Sequence, residues 1–317
     1  MNVEDVPSMR VFYAICAIYT VLIVASIIVA VMRRRSPGAA NAELAQRIQS
    51  WWFMITVFTI AILTNRVVST VFLGFMAFLA LKEYLSLIRV RRVDRQILLI
   101  AYLTIPVQFY FAHMYGYGLF LTFIPVWMFL IIPMTMTLVG KTEGFLNAVG
   151  TVSWGMMITV FALSHTAMLL ASGPNAGPAG GAGLLLFLVA LTQFNDVAQF
   201  TWGKLFGNRK ILPKVSPKKT WEGFLGGLAT SMVVAALVGP YLTPLDSFWS
   251  AAAGGMIAIA GFLGDVTISA FKRDLGVKDS GGLIPGHGGI LDRVDSLTYA
   301  APVFYHAIHF FVLSGRF

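Results

Sequence analysis

Read for hydropathy alone, the chain is a succession of long apolar runs separated by short polar stretches. Ten runs stand out, at about 11–31, 51–64, 67–81, 97–112, 118–139, 151–171, 183–203, 223–238, 248–271 and 296–314. None alternates with a period of two, and a perpendicular bilayer crossing takes roughly 20 apolar residues, about 17–25 in practice. The pattern predicts an all-α polytopic membrane protein with about 9–10 transmembrane helices. Runs 51–64 and 67–81 are short by that measure. They read as a closely coupled helical hairpin, tilted or thinned, turning at Asn65–Arg66. The sequence contains no dinucleotide fingerprint, Walker loop or soluble-domain linker. The first run exceeds a secretory signal core, has no small-residue cleavage site and ends at Arg33–Arg35, so a retained signal-anchor helix is expected.

The polar residues set the orientation. With the N-terminus outside, the inner loops are 32–50, 82–96, 140–150, 204–222 and 272–295, and they hold 20 of the chain's 23 Lys and Arg residues. The outer regions keep only Arg10, Arg66 and Arg316. So large an asymmetry follows the rule that cytoplasmic loops retain cations. The outer stretch 172–182, rich in Gly, Ala and Pro, has no charge and reads as a connector.

Composition agrees with this picture. Of 317 residues, 57% are hydrophobic and 12% charged, with mean hydropathy +0.78. A soluble domain carries about 25% charged residues. The single cysteine, Cys16, excludes a disulfide framework and a cysteine-based metal site. The net charge of +9 is read as orientation and attraction of anionic lipids or substrates, not as a nucleic-acid surface.

Two inner polar islands differ from the simple basic loops at 32–50 and 82–96. The first spans residues 195–223. Asn195 and Asp196 sit within an apolar segment, where an ionised carboxylate costs about 2.5–3.5 kcal/mol and is usually functional. Downstream, Ser216, Lys218, Lys219 and Thr220 combine hydroxyls and compact positive charge in a way that suits a polyphosphate. Thr220 can equally N-cap the next helix, with Glu222 in its first turn.

The second island begins inside a helix, where Asp265, Ser269, Lys272 and Arg273 share one face. A salt bridge from Asp265 to either cation would be a long reach. A glycine-rich link carries Lys278, Asp279 and His287, and Asp292, Arg293 and Asp295 follow at the start of the last helix. The carboxylates Asp196, Asp265, Asp279, Asp292 and Asp295 are the supply for a hard divalent cation, since Mg²⁺ is bound by one or two carboxylates plus substrate phosphates. Lys218, Lys219, Lys272, Arg273, Lys278 and Arg293 would neutralise phosphate charge. Metal, polyphosphate and membrane depth together suggest phosphoryl or nucleotidyl transfer to a lipid. His113, His165, His306 and His309 have no carboxylate at ligand spacing, and interhelical hydrogen bonding is expected of them. The Gly223-x-x-x-Gly227 step reads as a close helix contact.

The run Ser269-x-Phe271-Lys272-Arg273-x₄-Lys278-Asp279, continuing to Pro285-x-His287-Gly288-Gly289-x₂-Asp292-Arg293-x-Asp295, resembles the signature of phosphatidate cytidylyltransferases. The block Ser216–Gly223 is similar to a second conserved stretch of that family. The resemblance covers about residues 183–310; the first 180 residues match only as a multi-helix membrane region. One departure is clear: Gln199 and Phe200 stand where the family pattern has an Ala-Tyr pair.

The resemblance implies that CTP and phosphatidic acid are converted to CDP-diacylglycerol and pyrophosphate, with Mg²⁺ as cofactor and either a second Mg²⁺ or another cation such as K⁺ beside it. It makes Asp265 and Asp292 the leading metal ligands, followed by Asp196, Asp279 and Asp295. Lys272, Arg273 and His287 would join Asp265 and Asp292 in catalysis, while Ser216, Lys218, Lys219, Thr220, Lys278 and Arg293 would bind substrate. The expected organisation is a membrane region at 1–180 and a catalytic membrane region at 181–317, in a bacterial inner membrane with the site facing the cytoplasm. The Gly223–Gly227 step permits a homodimer. Rival readings are transfer to another lipid phosphate, a CTP-dependent lipid kinase, a transporter and a catalytically inactive relative.

Overall fold

A computed structural model gives the architecture and describes residues 8–35, 39–88, 95–173, 176–282 and 288–313. His287 lies outside the described residues. The helices are α1 (Met9–Arg35), α2 (Ala39–Thr64), α3 (Arg66–Leu87), α4 (Arg95–His113) and α5 (Tyr117–Leu138). They continue as α6 (Phe145–Ala171), α7 (Gly180–Phe206), α8 (Trp221–Leu242), α9 (Ser247–Asp274) and α10 (Leu297–Ile308). Among the described residues, nine helices are long and apolar enough to cross a membrane. The tenth run forms the 12-residue α10, continued by a wider turn at His309–Leu313.

The two short runs fold as full-length helices. α2 has 26 residues and α3 has 22, because both extend beyond their apolar stretches into polar flanks. Their turn falls at Asn65, whose side chain accepts a hydrogen bond from the Val68 amide at 2.9 Å and caps α3. No strand alternation is legible along the chain, yet β1 (Lys210–Leu212) and β2 (Ser216–Thr220) pair antiparallel, Lys210 facing Thr220 and Leu212 facing Ser216. Strands of 3 and 5 residues are too short for an alternation to be read.

Burial separates peripheral helices from central ones. Only 17% of the apolar window of α1 or α2 is buried, against 61% in α7. α7, α8 and α9 pack along one another, α10 lies on α9, and α3 and α4 dock onto α6. Leu184, Leu188, Ile257, Ala300 and Phe304 fill the junction of α7, α9 and α10. Two close approaches matter for the site. A Cβ at Gly227 would overlap the Gln199 side chain, and one at Gly264 would overlap the Asp295 carbonyl oxygen. The Gly223–Gly227 step is therefore consumed inside the chain, bringing α8 onto α7, and a homodimer would have to use another face.

Candidate active site

The ends of α7, α9 and the β-hairpin meet the start of α10 at one end of the bundle, and the two polar islands converge there. Thr220 leaves β2 and caps α8, its hydroxyl accepting from the Gly223 amide at 3.2 Å. Glu222, in the first turn, accepts from the Asn208 and Arg209 amides at 3.0 and 3.2 Å and so ties the hairpin to the helix. This anchoring turns Lys219 inward while Pro217 and Lys218 stay exposed on β2.

Lys219 is the hub of the first cluster. Its ammonium lies 2.6 Å from Asp265 of α9 and 3.2 Å from the Gln199 side-chain oxygen of α7. The Phe262 ring stands 5.6 Å away. Burial opposes its positive charge, but Asp265 and Asp196 outweigh burial and hold its pKa above the ordinary lysine value. Asp265 also accepts from Ser269 at 3.3 Å, one helical turn on, as the shared face predicted. Asp196 accepts from the Ser296 hydroxyl at 3.1 Å through Oδ2, while its Oδ1 is buried and unpartnered. Asp295 is buried beside them. Burial first, then the charges of Asp265 and Asp196, hold its carboxyl well above the usual range.

The second cluster is centred on Asp292. Its Oδ1 takes the Lys272 ammonium at 2.5 Å. Its Oδ2 accepts from the Ser280 amide at 2.9 Å, the Ser280 hydroxyl at 3.1 Å and the Gly289 amide at 3.1 Å. Burial alone would raise the Asp292 pKa, but Lys272 and these amides bring it below the ordinary value. Lys272 thus pairs with Asp292 rather than with Asp265 on its own helix. Arg273 turns the other way, donating to the Val215 and Val277 carbonyls at 3.4 and 3.1 Å, and pins the hairpin to the end of α9.

Sequence reading missed Glu83, near the end of α3. Its Oε1 accepts from the Ile290 amide, and its Oε2 from the Leu291 amide, both at 2.8 Å. Oε2 also lies 3.0 Å from the Ser280 hydroxyl, whose single proton is shared between Glu83 and Asp292. Glu83 therefore holds both sides of the glycine-rich link and, through Ser280, supports Asp292. In the sequence it sits in a basic loop with no acidic neighbour at ligand spacing, which gave no signal.

The predicted residues separate accordingly. Asp196, Lys219, Asp265 and Asp295 gather in one cluster, and Lys272 and Asp292 in the other. Arg293 lies near Asp196 and Asp295, and its Nε is buried and unpartnered. Lys278 and Asp279 are exposed on the link, and Ser216 is half-buried on β2. Among the described residues, no three His, Cys, Asp or Glu side chains form a group that could by itself hold a metal ion. The donor chemistry still fits a hard divalent cation. The first cluster offers oxygens only from Asp196, Asp265 and Asp295, and Asp196 Oδ1 lacks a partner. Lys219 acts as the counter-ion of Asp265 in this arrangement.

Carboxylates from separate segments thus pair with lysines at one end of a helical, polytopic membrane bundle. The sequence pattern of the Cytidylyltransferase family matches residues 45–311, and the chain belongs to that family. It is a membrane-embedded nucleotidyltransferase by that membership. An uncharacterized Escherichia coli protein, YnbB, is 45% identical over 297 residues, covering 94% of this chain and 98% of its own length. Proteins named phosphatidate cytidylyltransferase are similar over shorter stretches. The Haemophilus influenzae protein is 47% identical over 43% of this chain and 49% of its own length. The Pseudomonas aeruginosa protein is 44% identical over 38% of this chain and 46% of its own. The alignments to these named enzymes thus span about half of each or less.

Proposed function

We propose that the protein transfers the cytidylyl group of CTP to phosphatidic acid, releasing pyrophosphate and forming CDP-diacylglycerol. The observation that carries this reading is the pairing of Lys219 with Asp265 and of Lys272 with Asp292, drawn from separate segments to one end of the bundle. A phosphate oxygen of the lipid forms a bond to the α-phosphorus of CTP as the bond from that phosphorus to the bridging oxygen of pyrophosphate breaks. The nucleophile is already an anion, so no strong base is required, and the main obstacle is repulsion between two polyanions. Lys219, Lys272 and Arg293 supply positive charge against it. The two lysines rest on carboxylates, which keep them oriented.

A divalent cation, proposed as Mg²⁺ with a second ion such as another Mg²⁺ or K⁺, would neutralise developing charge on the phosphoryl oxygens when bound. Asp265 and Asp292, with Asp196, Asp279 and Asp295 as further carboxylates, would contribute ligands to it, and substrate phosphates would complete its shell. Thr220 and Ser216 would line the nucleotide side with Lys219 and Lys218, while Arg273, Lys278 and His287 would border the phosphates. Residues 181–317 form the catalytic region in this reading, and residues 1–180 support it through Glu83. The Lys and Arg distribution favours a bacterial inner membrane, the N-terminus outside and the site at the cytoplasmic face.

A second reading keeps CTP and changes the lipid phosphate acceptor. It is favoured by the relation to the named enzymes, which covers only 43% of this chain in the H. influenzae case. Incubation of purified protein with Mg²⁺, phosphatidic acid and CTP labelled at either the α- or γ-phosphate, followed by lipid chromatography, tests both readings. Label from the α-position in the lipid product supports cytidylyl transfer. Label from the γ-position means a kinase, and label in neither would end the enzymatic reading for this acceptor.

A further inference from the structure

Of the two residues that depart from the family pattern, only one reaches the site. Phe200 is 61% exposed on the outer surface of α7, whereas Gln199 is 4% exposed and points toward Lys219. The space for Gln199 is made by α8. Gly227 packs against its side chain and Gly223 against its carbonyl oxygen, positions where any Cβ would intrude. A long polar side chain has thus been fitted into a helix–helix contact beside the charged cluster.

The orientation of that carboxamide follows from its partner. An ammonium group only donates, so the Gln199 oxygen must face Lys219, at 3.2 Å. The amide nitrogen is then turned elsewhere, and it is buried with no hydrogen-bond partner. A buried amide without an acceptor is costly, and such groups in native structures call for an explanation. It is not alone. Arg293 Nε, a second donor, is also buried and unpartnered, and so is the acceptor Asp196 Oδ1. Arg293 acts electrostatically on Asp196, which in turn acts on Lys219, so the unmet groups belong to one charged environment.

We propose that Gln199 is a substrate-binding and positioning residue: its oxygen fixes Lys219 beside Asp265, and its amide donates to a phosphate oxygen of the bound substrate. The inference rests on the reading of this cluster as a phosphate-transfer site. A phosphate oxygen fits because it accepts from several donors at once and would satisfy the amide while lying against the Lys219 ammonium. That oxygen belongs either to the nucleotide or to the lipid phosphate, and kinetics in each substrate separate them.

The test uses full-length protein with Gln199→Met, which fills the space beside Gly227 without polar atoms, and Gln199→Glu, which keeps the acceptor for Lys219 but removes the donor. Apparent KM values for CTP and phosphatidic acid are measured with Mg²⁺, alongside thermal stability and equilibrium binding of CTP and of a short-chain phosphatidic acid. We expect both variants to raise KM for one substrate about tenfold or more, the size of losing a hydrogen bond to a charged group. Gln199→Met should retain wild-type thermal stability. The substrate affected identifies whose phosphate is held. Wild-type turnover with unchanged KM values in Gln199→Met would make the residue a packing element and overturn the proposal while leaving cytidylyl transfer intact. If the wild type does not turn over but binds CTP or the lipid more tightly than Gln199→Met, the binding role stands and the proposed reaction falls. Equal binding without turnover would remove both.

Discussion

The molecule contains two polar regions within its helices, and they are built on opposite principles. The charged end joins Asp196, Lys219, Asp265, Lys272, Asp292 and Glu83, with Gln199 and Arg293 each left holding an unmet donor. The other region lies about 16 Å from Asp295 at the rise of an α-helix, toward His306 of α10. There His165 meets His306 at 3.2 Å, His309 stacks on Tyr117 with ring centroids 4.2 Å apart, and Tyr115 reaches His309. Among the described residues, the second region shows no carboxylate or ammonium in contact with these rings. Neutral groups within a membrane can close on one another and serve packing, whereas a cluster of full charges costs far more and persists where it does chemistry. The proposed reaction accordingly belongs to the charged region, and the neutral region is read as cohesion.

The largest effect should come from removing a carboxylate of the charged end. Asp265→Asn and Asp292→Asn are each expected to lower turnover by about 10²–10³-fold or more, the range for losing a preorganised charge at a reacting phosphate. Membrane-inserted protein should remain at normal levels, checked by quantifying the purified yield. Near-normal turnover in either variant would erase the distinction between the regions. Glu83→Ala comes next. It strips acceptors from the Ile290 and Leu291 amides and the Ser280 hydroxyl, and should cost about 10–100-fold, as supporting groups around a reactive centre do. A double variant with Ser280→Ala should lose less than the product of the two single losses, because both act on Asp292.

How much of this was legible in the sequence follows from what each residue contacts. Apolar runs located every long helix because hydropathy reports bilayer contact directly, and the polar pair Asn65–Arg66 marked the α2–α3 turn by interrupting two of them. Asp196 and Asp265 stood out because charge in an apolar context is conspicuous. The partner of each charge did not. Lys272 shares a helical face with Asp265, yet it pairs with Asp292, which approaches from the loop before α10. Lys218 and Lys219 are equivalent as letters, and only the capping of α8 by Thr220 decides which one turns inward. Glu83 was invisible because its partners are backbone amides more than 200 residues away, which no local pattern encodes.

A smaller effect separates substrate binding from chemistry within the charged end. Lys219→Ala is expected to raise the apparent KM for CTP about tenfold and that for phosphatidic acid less, consistent with losing a charged contact to one ligand. The reverse order would assign the SPKKT strand to the lipid phosphate.

The smallest effect tests the other region. His165 Nδ1 lies 2.9 Å from the Phe161 carbonyl, so that nitrogen carries the proton and donates to it. His165 Nε2 is then an acceptor, and the His306 Nε2–H must donate to it across the α6–α10 contact. His306→Leu removes that donor while keeping an apolar side chain among the aromatic rings. Hydrogen bonds between membrane helices average about 0.6 kcal/mol, so a modest fall in thermal stability in detergent is expected. KM for both substrates should stay at the wild-type value, because no residue of this cluster touches Asp265, Lys219 or Asp292. A change in KM without a change in stability would mean that the neutral region takes part in substrate handling, and the two ends would then have to be read as parts of one path through the bundle.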